Sequence, residues 1–269
     1  QTGVGISILA PPLGAPPRPP LKSTRWNTPL PGLGCGVRVR VILDRRARSV
    51  NSDAYSYLRS HRVAVTWSSR HYHYTHQKTV IIDGAKAVIM TANLTSRYYA
   101  TSRDFLVVDT ERADVSAIST VFNADFTAKT VRPRDGSDLV WSPTDSQDHL
   151  IGLINGATSS LRIYSEEMGD RTVKNALIRA AKRGVDVQVI VPGRSDVKLI
   201  EYASLYALRH LAKRGVKVWR WGGIMLHAKT AVVDAVWSTI GSYNFDSQSR
   251  FNNLEVTVEI LDPAVGEKM

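Results

Sequence analysis

Two pairs of similar segments recur along this 269-residue chain, and they restrict the fold to a duplicated unit. The segments 36–43 and 184–191 read GVRVRVIL and GVDVQVIV, and the β-branched residues in both are typical of a buried strand. Farther along each half, the segments 75–83 and 226–234 read THQKTVIID and LHAKTAVVD. Such self-similarity is the signature of repeated structural units. The sequence therefore predicts two copies of one fold.

Between the repeated segments, strand patterns alternate with amphipathic helical patterns. Helices are expected over residues 52–61 and 114–126 in the first copy, and strand–helix pairs followed by further strands in the second. Alternation of this kind is typical of an α/β fold with a mixed sheet in each copy. We expect a two-lobed, pseudo-symmetric α-β-α sandwich, with a first lobe over residues 35–135 and a second over residues 136–269.

The start of the chain differs in composition from the remainder. Eight of the 12 prolines lie within the first 31 residues, and proline lacks the amide hydrogen and blocks helix interiors. We predict an irregular or extended arm over residues 1–34. The second copy has two strand–helix units before Gly184, whereas the proline-rich arm precedes Gly36. The first lobe is therefore expected to be an incomplete copy.

Composition excludes several kinds of protein and favours one kind of partner. The single cysteine, Cys35, excludes an internal disulfide framework and a metal site built from several cysteines. The net charge of +11 is concentrated in residues 1–135, with 19 basic and 9 acidic side chains, whereas residues 136–269 carry 16 and 15. Such a field favours nucleic acid, an anionic lipid surface or a phosphorylated substrate as partner. A basic surface that only promotes solubility explains the charge equally well.

Each repeated HxKxxxxD segment begins a longer set of polar residues with matched spacing. The histidine is followed by a lysine at +2, an aspartate at +7, an asparagine at +17 and an acidic residue at +28. The first set is His76, Lys78, Asp83, Asn93 and Asp104, and the second is His227, Lys229, Asp234, Asn244 and Glu255. Because residues i and i+2 of a strand point to the same face, each histidine and its lysine can enter one site together.

Two such sets placed face to face suit an in-line displacement at phosphorus, where attack and departure occur on opposite sides. One histidine can attack while the other protonates the leaving oxygen, and the lysines and asparagines can hold the nonbridging oxygens. The acidic residue at +28 can accept a hydrogen bond from the histidine of its own set and so fix its tautomer. Asp83 and Asp234 end their strands before a turn, so a supporting role fits them at least as well as direct participation.

These residues resemble the phospholipase D superfamily, whose signature is a duplicated HxKxxxxD motif followed by GSxN. The second motif fits fully, because the segment 241–244 reads GSYN. The first departs from the signature, since Met90 and Thr91 stand where glycine and serine are expected, although Thr91 retains a hydroxyl. The resemblance covers roughly residues 36–262.

The resemblance implies a phospholipase D-like fold, a covalent phosphohistidine, and no required metal or other cofactor. His76 is implied as the nucleophile and His227 as the general acid, because the N-terminal histidine is usually the nucleophile in this family. The implied catalytic set is His76, His227, Lys78, Lys229, Asp83 and Asp234. The implied phosphate-binding set is Lys78, Lys229, Asn93, Asn244, Thr91 and Ser242, with Asp104 and Glu255 orienting the histidines. A metal bound through His71, His73 and His76 is disfavoured, because no acidic or cysteine ligand is near in sequence and His76 already has a role.

Three functions stay open from the sequence. The first is a phosphodiesterase that hydrolyses or transfers at a phospholipid phosphodiester, favoured because duplicated single-chain family members more often act on lipids. The second is an endonuclease or phosphodiesterase acting on nucleic acid, and the third is an inactive fragment that binds polyanions. Both motifs lie in one chain, so we expect a monomer, and a secreted or membrane-peripheral location is favoured. Trp219 and Trp221 could enter a lipid interface or stack on bases, but strand packing is the simpler interpretation.

Overall fold

A computed structural model describes residues 3–8, 38–95, 101–132, 136, 138–193 and 198–269, with the backbone alone over residues 3–8 and 198–204. The elements of the first half are β1 (Gly3–Ile8), β2 (Arg38–Leu43), α1 (Arg48–Ser60), β3 (Ala64–Trp67), β4 (Thr79–Ile82), β5 (Lys86–Met90), β6 (Ser102–Arg103), β7 (Leu106–Asp109) and α2 (Arg112–Phe126).

The second half has a similar succession of elements. They are β8 (Leu139–Ser142), α3 (Ser146–Gly156), β9 (Ser160–Ser165), α4 (Arg171–Lys182), β10 (Asp186–Pro192), α5 (Lys198–Ala212), β11 (Lys217–Trp221), β12 (Met225–Leu226), β13 (Lys229–Val233), β14 (Trp237–Gly241), α6 (Ser247–Phe251), β15 (Glu255–Leu261) and α7 (Pro263–Lys268). None of the helices in the described parts of the chain is long and apolar enough to cross a membrane.

The strands form two mixed sheets with corresponding orders. The first sheet has the order β3-β2-β1-β4-β5-β7, and the second has the order β11-β10-β9-β13-β14-β15-β8. In each sheet three parallel strands lie beside antiparallel strands that carry the motif segments. Superposing the two orders matches β4 with β13 and leaves β8 without a counterpart in the described part of the first sheet. The expected α/β fold with mixed sheets is confirmed.

The described residues near the start of the chain form a strand where an irregular or extended arm was expected. Gly3–Ile8 pairs in parallel with β2 and antiparallel with β4, in the position that β9 has in the second sheet. The segment reads GVGISI, so β-branched residues alternate before the first proline at Pro11. The first lobe thus contains one of the strands missing from the pattern. Residues 9–34 of the expected arm lie outside the described residues.

Two large hydrophobic clusters support the sheets, and a smaller one of Val41, Leu43 and Val63 lies on the first sheet. One of the large clusters lies between the second sheet and its helices, and includes Leu161, Leu177 and Leu211. The other is shared between the lobes, with Ile89 of β5 packed in the same cluster as Val256 of β15. Burial of this shared apolar surface holds the two lobes together, and the motif segments meet along the same junction.

Candidate active site

Backbone hydrogen bonds anchor each motif histidine to the opposite lobe. The amides of His76 and Gln77, just before β4, donate to the carbonyl of Leu254 at 2.9 Å. The amide of His227, just before β13, donates to the carbonyl of Arg103 at 3.1 Å. The two HxK segments therefore meet at the junction of the lobes, as face-to-face placement requires.

Each histidine is oriented by a carboxylate of the other lobe. His76 Nδ1 lies 2.7 Å from Glu255 Oε2, and His227 Nδ1 lies 2.8 Å from Asp104 Oδ1. The expectation that each acidic residue at +28 orients the histidine of its own set is therefore wrong. The residue types and the kind of contact agree with the expectation, but the partners are exchanged.

Two short contacts between the lobes account for the exchange. β6 pairs in parallel with β12, so the residues directly after them, Asp104 and His227, lie side by side. A parallel bridge also joins Thr75 to Leu254, so the residues directly after them, His76 and Glu255, lie side by side as well. In both contacts the histidine and its carboxylate therefore follow directly after a parallel pairing between the lobes.

Further hydrogen bonds hold the Glu255 carboxylate in place. Its Oε1 accepts from Ser249 Oγ at 2.9 Å and from Asn253 Nδ2 at 3.1 Å. Burial raises the pKa of Glu255, but the charge and hydrogen bond of His76 outweigh it, so that its pKa lies below its ordinary value. Glu255 is therefore a carboxylate at neutral pH and can hold the Nδ1 proton of His76.

Asp104 is ionised for the same kind of reason. Burial raises the pKa of Asp104, but the hydrogen bond and charge of His227, together with the hydroxyls of Ser102 and Thr91, bring its pKa well below its ordinary value. Both orienting carboxylates therefore leave the Nε2 atom of their histidine as the reactive nitrogen.

The hydroxyls of Thr91 and Ser242 support the orienting strands. Thr91 Oγ1 donates to Asp104 Oδ1 at 2.7 Å and accepts from the amide of Phe105 at 2.9 Å. Ser242 Oγ accepts from the amide of Val256 at 3.2 Å. Both side chains are fully buried. Their hydrogen bonds hold the segments that carry Asp104 and Glu255, and the expectation that they bind phosphate stays a prediction.

The two lysines occupy equivalent buried positions. Lys78 Nζ donates to the carbonyl of His76 and Lys229 Nζ to the carbonyl of His227, both at 2.7 Å. Burial lowers the pKa of Lys78 to about 7; Glu255 acts against this shift and Lys229 adds to it. Because charges of both lobes act on Lys78, the two motif sets form one electrostatic cluster.

The two asparagines lie beside this cluster. Asn93 Nδ2 is 3.4 Å from His227 Nε2. Asn93 Oδ1 and Asn244 Oδ1 are buried and have no hydrogen-bond partner among the described residues. The structure therefore brings together the histidines, lysines, asparagines and acidic residues of both sets, apart from the two aspartates at +7.

Asp83 and Asp234 lie at the far ends of β4 and β13, roughly 20 Å of extended chain from the histidines. The Asp234 carboxylate accepts from the amides of Ser159 and Ser160 at 2.8 Å and from Thr158 Oγ1 at 2.8 Å. Both aspartates have a left-handed backbone, with φ of 54° at Asp83 and 52° at Asp234. Their inclusion in the catalytic set is wrong, because they stand at tight turns remote from the chemistry.

Glu166 is a site residue that the sequence reasoning missed. It follows β9, and its Oε2 lies 2.8 Å from Lys229 Nζ and 3.4 Å from His227 Nε2. The signal available in the sequence was its place directly after a strand that ends at the site. In the first copy the residue after β1 is Leu9, so comparison of the two copies could not reveal it.

No group of three or more histidine, cysteine, aspartate or glutamate side chains in the described ranges is arranged to hold a metal ion. His71 and His73 instead contact the rings of Tyr72 and Tyr74, with centroids 4.7 Å apart in each pair. The third histidine of that stretch, His76, is engaged by Glu255.

Comparison with known proteins agrees with this geometry. The family model described as "Cardiolipin synthase, PLD-like domain" matches residues 34–126 and 150–269. Cardiolipin synthase A of Yersinia pseudotuberculosis is 38% identical over 92 residues, which are 34% of this chain and 19% of that protein. The matched segment thus spans about a fifth of the length of that curated relative.

Solved structures share the fold over almost the whole chain. Phosphatidylserine synthase of Haemophilus influenzae covers 99% of this chain and 79% of its own, with a TM-score of 0.69 and 14% identity. Polyphosphate kinase of Porphyromonas gingivalis covers 99% and 44%, with a TM-score of 0.68 and 16% identity. Since the family model matches both motif-bearing lobes, the chain belongs to the phospholipase D superfamily, among its cardiolipin synthase-like domains.

Proposed function

We propose that the chain is a phospholipase D-type phosphodiesterase that hydrolyses or transfers at a phospholipid phosphodiester through a phosphohistidine. The observation that carries the proposal is the exchanged pairing of His76 with Glu255 and of His227 with Asp104, at 2.7 and 2.8 Å. It leaves two reactive Nε2 atoms, one from each lobe, beside two buried lysines. Both sets are in one chain, so the proposal needs only a monomer.

His76 is suited to be the nucleophile. Burial lowers the pKa of His76; Glu255 opposes the shift, and the charges of Lys78 and Lys229 add to it. The ring is therefore neutral at pH 7, with its proton on Nδ1 and a lone pair on Nε2. In the first step His76 Nε2 bonds to phosphorus, and the leaving oxygen takes the Nε2 proton of His227 as its bond to phosphorus breaks.

The second step reverses these roles. A water or alcohol oxygen gives its proton to His227 Nε2 and bonds to phosphorus, and the phosphorus bond to His76 breaks. Water yields hydrolysis and an alcohol yields transfer. Lys78, Lys229, Asn93 and Asn244 hold the nonbridging oxygens, where donors in a buried site stabilise the developing charge most effectively.

A phospholipid is favoured over nucleic acid by the surface beside the site. Trp219 on the edge strand β11 is 55% exposed, and Ile224 in the loop that leads to His227 is 50% exposed. The Arg103 guanidinium lies 5.0 Å above the Trp221 ring. An exposed aliphatic side chain beside tryptophans and arginine suits a bilayer interface, whereas isoleucine provides no stacking surface for a base. A membrane-peripheral location follows from this proposal.

The test is headgroup release from vesicles of phosphatidylcholine and phosphatidylglycerol in the presence of chelator. We expect release by the parent protein and none by His76→Ala or His227→Ala. His149→Ala is the matched control, because His149 is 51% exposed on α3 and pairs with Glu259 at 3.6 Å. Release by both site variants would refute the two-histidine chemistry. Cleavage of single-stranded DNA without headgroup release would replace the lipid proposal by the nuclease.

A further inference from the structure

His227 lies between two carboxylates. Asp104 Oδ1 lies 2.8 Å from its Nδ1, and Glu166 Oε2 lies 3.4 Å from its Nε2. The same Glu166 oxygen accepts a hydrogen bond from Lys229 Nζ at 2.8 Å. Each ring nitrogen of His227 therefore faces a carboxylate oxygen, so that a proton on Nε2 points towards a negative charge.

His76 has a different environment. Its Nδ1 faces Glu255, but no described carboxylate lies within 4.0 Å of its Nε2. Besides Glu255, the charges of Lys78 and Lys229 act on the ring and oppose its protonation, and the charge of Glu166 acts on it as well. The two halves of the site are thus nearly symmetric in their motif residues and asymmetric in their charge.

Glu166 is ionised despite its burial. Burial raises its pKa, but the charges of His227 and Lys229 and the hydrogen bond from Lys229 bring the pKa down to about 2. The remaining charged groups of the cluster are Asp104, Glu255, Lys78 and His76, from the elements that pack around His227. Asp104 and Glu166 both contact the His227 ring, and Asp104 contacts the nitrogen that does not react.

We propose that Glu166 is a positioning residue that keeps the Nε2 proton on His227, and that it thereby makes His227 the acid and His76 the nucleophile. The inference rests on the proposed phosphodiesterase function and specifies which histidine is the acid and which is the nucleophile. The proton stays on His227 until the leaving oxygen takes it, and returns there from water or alcohol; Glu166 neither gains nor loses a proton. Since the sequence has leucine directly after β1 and glutamate directly after β9, the two copies of the repeat differ at this position.

The first test does not need turnover. Histidine side chains labelled with ¹⁵N are titrated by NMR in the parent protein and in Glu166→Gln, with the His227 signals identified by their loss in His227→Ala. We expect the ¹⁵N signal of His227 Nε2 to move towards that of an unprotonated nitrogen in Glu166→Gln, because the carboxylate 3.4 Å away is lost. The matched control is Glu167→Gln, since Glu167 is hydrogen-bonded to Asp246 instead. An unchanged His227 Nε2 signal in Glu166→Gln, or an equal change in Glu167→Gln, would overturn the proposal.

The second test uses the leaving group. Methyl p-nitrophenyl phosphate has an aryl leaving group that needs no acid, whereas phosphatidylglycerol has an alkyl leaving group that does. We expect Glu166→Gln to lower kcat for phosphatidylglycerol by about 30-fold or more and for the aryl ester by less than about threefold. Equal losses on both substrates would assign Glu166 a merely structural role. If the parent cleaves neither diester, the phosphodiesterase proposal fails, while the titration still decides the role of Glu166.

Discussion

The exchanged pairing predicts a free-energy coupling between His76 and Glu255 across the two lobes. The ring nitrogen and the carboxylate are 2.7 Å apart, and the Glu255 side chain is 1% exposed. A buried hydrogen bond to a charged group contributes about 1.5–3 kcal/mol. In a double-mutant cycle with His76→Ala and Glu255→Gln, we therefore expect a coupling of about 2 kcal/mol in the free energy of unfolding.

The assay is urea unfolding of the four proteins at pH 8. Because burial and nearby lysines lower the pKa of His76 in the folded protein, the unfolded state binds more protons below about pH 6.5 and stability falls there. At pH 8 the ring is neutral in both states, so the cycle reports the contact alone. A parallel cycle with His76→Ala and Asp104→Asn should be additive within about 0.5 kcal/mol. Coupling of His76 to Asp104 but not to Glu255 would refute the exchanged pairing.

Three further predictions follow from the buried site and its surroundings. Lys78→Met should abolish turnover yet raise the free energy of unfolding by about 1 kcal/mol at pH 7, because burial lowers the pKa of Lys78 to about 7 and so opposes its charged form. The stability gain of the variant should shrink as pH rises towards 10, where the unfolded lysine also loses its proton. A loss of stability in Lys78→Met would contradict this prediction. Asp234→Ala should lower the free energy of unfolding by about 1–3 kcal/mol with the kcat of the folded fraction preserved; lost turnover at unchanged stability would return Asp234 to the chemistry. Replacing Trp219 and Ile224 together by serine should lower the affinity for anionic vesicles, measured by co-sedimentation, about tenfold or more. Cleavage of methyl p-nitrophenyl phosphate should stay unchanged. Unaltered vesicle binding would show that these two side chains do not form a membrane interface.

The repeat made most of the fold predictable from the sequence. The matched segments 38–43 and 186–191 lie in β2 and β10, each the second strand from an edge of its sheet. The helix expected over residues 52–61 begins earlier, at Arg48. The turn before it is capped by Asp44, whose carboxylate accepts from the amides of Arg46 and Ala47. Local hydrogen bonds of this kind move a helix boundary without altering the hydrophobic pattern.

β1 and the exchanged carboxylates were harder to predict. The six residues of β1 precede a stretch dominated by proline, whose composition masked the short apolar alternation. The pairing of Asp104 with His227 depends on β6 and β12, which have two residues each. Strands of that length leave no periodic signal, so spacing within each copy suggested the wrong partner.

The candidate site was predictable where both copies have the same residue. Duplication singled out the histidines, lysines, asparagines and acidic residues that the structure brings together. It also singled out Asp83 and Asp234, since a turn that recurs in both lobes produces the same matched spacing as a catalytic group. Glu166 was not predicted because the repeat has no matching acidic residue in the first copy. The same difference between the copies gives the site the asymmetry that we propose.

In the proposed mechanism a histidine of one lobe carries the phosphoryl group while the histidine of the other lobe transfers protons. The most direct measurement is mass spectrometry of His227→Ala after rapid mixing with methyl p-nitrophenyl phosphate, followed by quenching in base. With this aryl ester the attack by His76 needs no acid, so the His227→Ala variant can still form the phosphohistidine. The intermediate should then accumulate, because the variant lacks the base that His227 provides in the second step. We expect a methyl phosphate adduct on the peptide that contains His76, and no adduct in His76→Ala. An adduct on any other residue, or p-nitrophenol release by the parent protein with no adduct in His227→Ala, would contradict the mechanism.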